Sequence, residues 1–330
     1  RASRAASRAA VLRLFCHRFR RGGILWGEQY RPCNGSGRFM DNDVNLRTLV
    51  NDGGSAVISD YGAHLLRWAP AGQPDVVWTP STWRIEPGKP LGGGVPICFP
   101  WFGPGFAHGR QLAITPSHGF ARVRRWTLDE EGFTDDRVRY VMDSERLTDG
   151  EVPWLDDEPE ARFRATYDVH AADTLTMSLT VVNTGDVPMS YEAALHSYLH
   201  VGDVSDAGLV GLRGATYLDA TETGFPPRLQ EPEAVTFGER PVDRVYYSDS
   251  SVQLRDAVLG RVVYIVKSGS PQTVVWNPGK EGDHMRCARP GEWRGFVAVE
   301  AAACRDRGVT LAPGESHTLS KTLSVETLDV

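Results

Sequence analysis

Glu300 stands in FVAVEAA, residues 296–302, where Phe296 and Ala298 alternate with Val297 and Val299. That alternation predicts a buried strand, and a glutamate is almost never fully buried without a partner. A buried acid with a shifted pKa is a common mark of a functional site. The plainer alternative is a strand-end glutamate that reaches solvent. His196 lies in a second apolar stretch, YEAALHSYLHVGD at 191–203, beside Ala194, Leu195 and Leu199. A single histidine in such a stretch is more often a hydrogen-bonded core residue. The spacing of His196 and His200 would also set two metal ligands on one face, but no third ligand with zinc-like spacing accompanies them, so no metal site is expected. SHGFARVRRW at 117–126 holds Ser117, His118 and Arg122: a turn histidine, and an arginine that would contact an anion if the loop turns inward. PVDRVYY at 241–247 adds Asp243.

These segments are far apart in the chain, so the fold must bring them together. LTMSLTVV at 175–182 sets Leu175, Met177, Leu179 and Val181 against Thr176, Ser178 and Thr180, the period of a half-buried strand. Residues 137–144, 162–170, 245–256, 261–269 and 317–325 read the same way, separated by turn clusters such as NTGD, SGSPQ and APGE. No helical period persists over three turns, and there is no internal repeat or flexible linker. The expectation is one large all-β domain over 40–330, a sandwich or barrel. GGGVPICFPWFGP at 92–104 fits neither strand nor helix; glycine allows close backbone approach and proline removes a donor, so it reads as a shaped wall.

The chain has 330 residues, 41% hydrophobic and 24% charged, with a net charge of -6. No global basic field points to nucleic acid, and the longest apolar runs, such as VVYIV at 262–266, are too short for a membrane-spanning helix. Cys16, Cys33, Cys98, Cys287 and Cys304 form neither a disulfide framework nor a CxxC knuckle, which favours a reducing, cytoplasmic compartment. A monomer is expected. Residues 1–39 are rich in Arg and Ala with no acid before Glu28. They read either as a mitochondrial-type presequence or as sequence translated ahead of Met40, the second being favoured, and are expected to stand outside the fold.

Taken together, GGGVPICFPWFGP, HGFARVRRW, ALHSYLHVGD, VDRVYY, VVWNPG and FVAVEAA, in that order, resemble the glucose-6-phosphate 1-epimerase branch of the aldose 1-epimerase family. The resemblance runs from about Met40 to the C-terminus. It implies a galactose-mutarotase-like β-supersandwich with a sugar cleft on its concave face, partly walled by the Gly/Pro stretch. It makes His196 the general acid and Glu300 the general base. His118 and Asp243 would position the sugar oxygens, and Arg122 would contact substrate and its phosphate. A carboxylate and an imidazole, each tunable toward neutral pH, suit proton exchange at an anomeric centre. That chemistry requires no metal, nucleotide or redox cofactor, and its partner is a small sugar or sugar phosphate.

The chain has Gly92 where the phosphate branch usually has arginine, and Ser117 where it usually has glutamine. Lys89, Arg84 and Arg125 are the sequence's candidates for a replacement cation. An aldose 1-epimerase of unphosphorylated sugar is the alternative within the class. A non-catalytic carbohydrate-binding protein is the alternative outside it, disfavoured by the presence of both His196 and Glu300.

Overall fold

The alternating segments pair into two large antiparallel sheets. The computed structural model describes residues 45–107, 109–147 and 162–328; the 1–39 extension, Met40, Cys16 and Cys33 lie outside the described residues. The larger sheet has nine strands, in spatial order Ala234–Thr236, Ala207–Val210, Val252–Asp256, Arg261–Ser268, Ser316–Thr327, Leu175–Asn183, Phe163–Ala171, Arg137–Asp143 and Thr127–Asp129. Leu175–Asn183 alternates buried and half-buried residues along its whole length. On its outer side Thr176, Ser178 and Thr180 hydrogen-bond Thr322, Ser320 and Thr318 of the neighbouring strand at 2.9–3.0 Å, which ties the register without apolar side chains.

The second sheet has eight strands and carries the chemistry. Its order runs Pro227–Leu229, Thr216–Asp219, Val242–Tyr246, Gln272–Asn277, Phe296–Ala303, Ala193–Leu195 and Ile97–Cys98, with Tyr198–His200 also paired to Phe296–Ala303. Val297, Val299 and Ala301 point inward and pack with Leu179, Leu319 and Leu323 of the larger sheet in one apolar cluster. By the two-residue pleat, Ala298, Glu300 and Ala302 face the opposite side, where Cys98, Ala194, Val245, Val274 and Cys304 form a smaller cluster. A three-stranded sheet, Leu46–Asn51, Gly54–Ser59 and His64–Pro70, precedes both. Among the described residues helices are short 3-10 turns, six residues at most, and none is long and apolar enough to cross a membrane.

Two sequence expectations change. Residues 245–256 are not one strand: Val242–Tyr246 belongs to the smaller sheet and Val252–Asp256 to the larger, with the polar SDSS stretch at 248–251 in the crossing. The Gly/Pro wall does contain a strand, the two-residue edge Ile97–Cys98, paired with Leu195 and Ala194. So short a run offers no period to read.

Candidate active site

Strand register explains why a histidine and a glutamate meet. Ala193–Leu195 and Tyr198–His200 both pair with Phe296–Ala303, through Leu195 to Ala301 and Tyr198 to Ala298. His196 and Ser197 fall in the break between them, opposite Val299 and Glu300, and the Val299 N–H donates to the Ser197 carbonyl at 3.0 Å. The wall holds this break from the other side: His196 N–H donates to Pro96 O at 3.1 Å and Tyr198 N–H to Gly94 O at 2.9 Å. Gly94 has φ +68, and a Cβ there would sit 2.5 Å from the Leu65 carbonyl, so no larger residue fits this approach. His196 Nε2 ends 3.5 Å from Glu300 Oε1, with its ring stacked on Tyr198 at 4.8 Å and 6°.

Both members are buried, Glu300 1% and His196 7% exposed. Burial, reinforced by the Asp243 carboxylate, holds Glu300 well above the ordinary carboxyl range; Lys321 and Arg122 pull against that shift. Burial, with His118 and Arg122, holds His196 well below the ordinary imidazole range. Each shift favours the uncharged form, so the free pair keeps one proton over a wide pH span. Glu300 Oε2 and His196 Nδ1 are buried without a hydrogen-bond partner. Leaving such atoms unsatisfied costs on the order of 1–3 kcal/mol each, an expense that packing alone does not explain.

His118 is delivered by the turn after the wall. It has φ 63, its N–H donates to Gly103 O at 2.6 Å, and Gly119 behind it leaves no space for a Cβ, which would lie 2.0 Å from Phe99 O. The Gly103 N–H donates to His118 Nδ1 at 3.2 Å. Burial, then Arg122, pushes His118 down to about 3, so the ring is neutral and its hydrogen sits on Nε2. The His118 and His196 rings lie 5.6 Å apart. Asp243 reaches the same cleft from across Trp276, its register partner; burial and the nearby Asp219 carboxylate push it up to about 6. Arg122 donates to the Ser117 carbonyl at 2.7 Å.

His118, Arg122, His196, Asp243, Glu300 and Ser117 therefore line one cleft of about 450 Å³, a volume suited to a sugar phosphate. Gly92 does not line it; its α-carbon faces Cys287, whose Sγ would lie 2.3 Å from a Cβ at 92. Nor do the three replacement cations: Arg84 and Lys89 ion-pair with Glu86, and Arg125 reaches Asp60 at 3.7 Å. His200 leaves the cleft and hydrogen-bonds the Asp75 carbonyl at 3.1 Å through Nδ1. Among the described residues no group of three His, Cys, Asp or Glu side chains is arranged to hold a metal ion. Phe102 of the wall lines the cleft, as the resemblance implies; sequence reasoning passed over Tyr198, Trp276, Phe106, Phe225 and Arg305, which also line it. Tyr198 carried a signal, two residues beyond His196 in one β stretch; Phe225 and Arg305 carried none.

The chain has relatives among known proteins. Residues 45–324 match the family described as Aldose 1-epimerase. A Salmonella typhimurium protein named "Putative glucose-6-phosphate 1-epimerase" is 31% identical over 78% of this chain and 83% of its own. An Escherichia coli K12 protein of the same name is 32% identical over 73% and 77%. A crystal structure described as a "putative mutarotase" of Salmonella typhimurium superposes with a TM-score of 0.73 at 28% identity, covering 86% of this chain and 91% of that one. The two-sheet architecture is thus the β-supersandwich of the mutarotases.

Proposed function

The chain belongs to the aldose 1-epimerase family, and on that premise we propose that it interconverts the α and β anomers of a hexose 6-phosphate, glucose 6-phosphate, at C1. The observation that carries the reading is the buried His196–Glu300 pair, 3.5 Å apart, at the cleft shared with His118, Asp243 and Arg122. A site that only bound sugar would gain nothing from holding an acid and a base in unfavourable burial.

Glu300 carboxylate takes the proton from the anomeric hydroxyl, the O1 electrons close a C=O bond at C1, and the C1–O5 bond breaks toward O5. The His196 imidazolium gives its proton to O5. After rotation about C1–C2, O5 returns its proton to His196 and adds to the other face of C1, while O1 recovers its proton from Glu300. The pair carries one proton throughout, and burial makes its ionic form a transient, reached by moving that proton between the two side chains. His118 Nε2–H donates to a sugar oxygen, and the Asp243 carboxylate accepts from a sugar hydroxyl.

Asp243 gives this reading a pH signature. Its raised pKa means that it is charged only above about pH 6, so kcat/KM falls as pH drops through about 6. In Asp243→Asn the rate is lower throughout and that acid limb disappears. A limb that stays in place in Asp243→Asn would remove Asp243 from the site.

Both curated relatives' names support the phosphorylated substrate, whereas Gly92 favours a plain aldose. Side-by-side anomer exchange of glucose 6-phosphate and glucose decides between them: the proposal expects a higher kcat/KM for the phosphate. Equal values, insensitive to salt, would make an aldose 1-epimerase of unphosphorylated sugar the better reading.

A further inference from the structure

A hexose 6-phosphate bound with C1 at His196 and Glu300 needs a cation at its far end. The arginine usual in the phosphate branch is absent here, and position 92 is closed by Cys287. Among the described residues two cationic side chains line the cleft, Arg122 and Arg305. Arg122 donates to the Ser117 carbonyl, next to His118, which sets it at the reacting end. Arg305 instead packs its guanidinium on the Phe106 and Phe225 rings of the cleft wall. The strand that carries Glu300 ends at Ala303, and Arg305 opens the 3-10 turn Arg305–Arg307 just beyond it, so its side chain joins the cleft lining from past the strand end.

The geometry points to Arg305 as the specificity-determining phosphate anchor of this cleft, in place of the arginine that Gly92 replaces. The inference rests on the hexose 6-phosphate reading. The Arg305 guanidinium lies 4.3 Å from the Phe225 ring centre and 4.9 Å from that of Phe106. Two aromatic faces hold its plane and leave the N–H edge for a planar, two-point contact with phosphate oxygens. Among the described residues it forms no ion pair that a phosphate would have to break. Its own N–H donates to Glu192 Oε1, whose other oxygen holds the Phe102 and Phe106 N–H groups, so one carboxylate fixes both the anchor and the loop beneath it.

The test compares kcat/KM for glucose 6-phosphate and glucose in wild type, Arg305→Gln and Arg305→Lys. In Arg305→Gln the preference for the phosphorylated sugar falls by about 10- to 100-fold, the range for losing a hydrogen bond to a charged group. Arg305→Lys, which keeps the charge without the planar fork, retains part of it. Inorganic phosphate is a second probe that needs no variant to fold: it competes with glucose 6-phosphate in wild type. A wild-type preference that survives Arg305→Gln, or wild-type glucose 6-phosphate turnover indifferent to inorganic phosphate, overturns the anchor and leaves the epimerase reading standing. Equal use of the two sugars by wild type overturns the hexose 6-phosphate reading and the anchor with it.

Discussion

Glu300→Gln lowers anomer exchange by about 10²–10⁴-fold, the usual contribution of a positioned general base, while the sandwich stays folded. His196→Asn does comparable damage. The double variant loses less than the product of the two, because both side chains serve one proton transfer at a distance of 3.5 Å. The same substitution has the opposite effect on stability. Burial raises the folded pKa of Glu300 above its unfolded value near 4.5. The folded protein therefore binds more protons than the unfolded chain above that pH, and wild type loses stability as pH rises. Glutamine does not titrate, so the melting temperature of Glu300→Gln relative to wild type increases from about pH 5 to about pH 8. Melting curves across that range, beside exchange rates, check both halves. Near-wild-type exchange in Glu300→Gln would refute the acid/base assignment.

Glu192→Ala is expected to be the most disruptive change outside the reacting pair. Its side chain is 5% exposed and accepts three backbone N–H groups: Phe102 at 3.1 Å, Phe106 at 3.0 Å and Arg305 at 2.5 Å. Burial raises its pKa and these three donors lower it again. Alanine leaves all three donors unmatched in part-buried surroundings, at a cost of roughly 2–4 kcal/mol, a large share of the about 5–15 kcal/mol that holds a domain together. The urea midpoint should fall with little change in slope. Glu192→Gln, which still offers one acceptor oxygen, should fall in between. A Glu192→Ala protein within about 0.5 kcal/mol of wild type would show that water replaces the carboxylate without penalty.

Much of the architecture was legible because period-2 alternation is a local signal. The 175–182 pattern placed its strand, and the apolar run through FVAVEAA marked Glu300 as lying in a buried one. The wall's glycines were legible in kind, as places of close approach, and Gly93 and Gly94 have that role. What stayed hidden depends on register. Nothing in ALHSYLH tells that two short strands share one partner and leave His196 in the gap opposite Glu300. Trp276 meets Asp243 only through a strand pairing across 33 residues. The replacement cation was sought at Lys89, Arg84 and Arg125, whereas the proposed anchor is Arg305, held by Glu192 and two phenylalanines.

The central claim is that this cleft exchanges anomers rather than merely holding sugar. Exchange NMR on equilibrated glucose 6-phosphate, following magnetisation transfer between the α and β H1 signals, tests it most directly. The account predicts α–β cross-peaks whose build-up rate rises in proportion to wild-type protein and returns toward the spontaneous rate in Glu300→Gln. Broadened or shifted sugar signals with no acceleration of exchange, for either glucose 6-phosphate or glucose, would contradict it and leave a carbohydrate-binding protein.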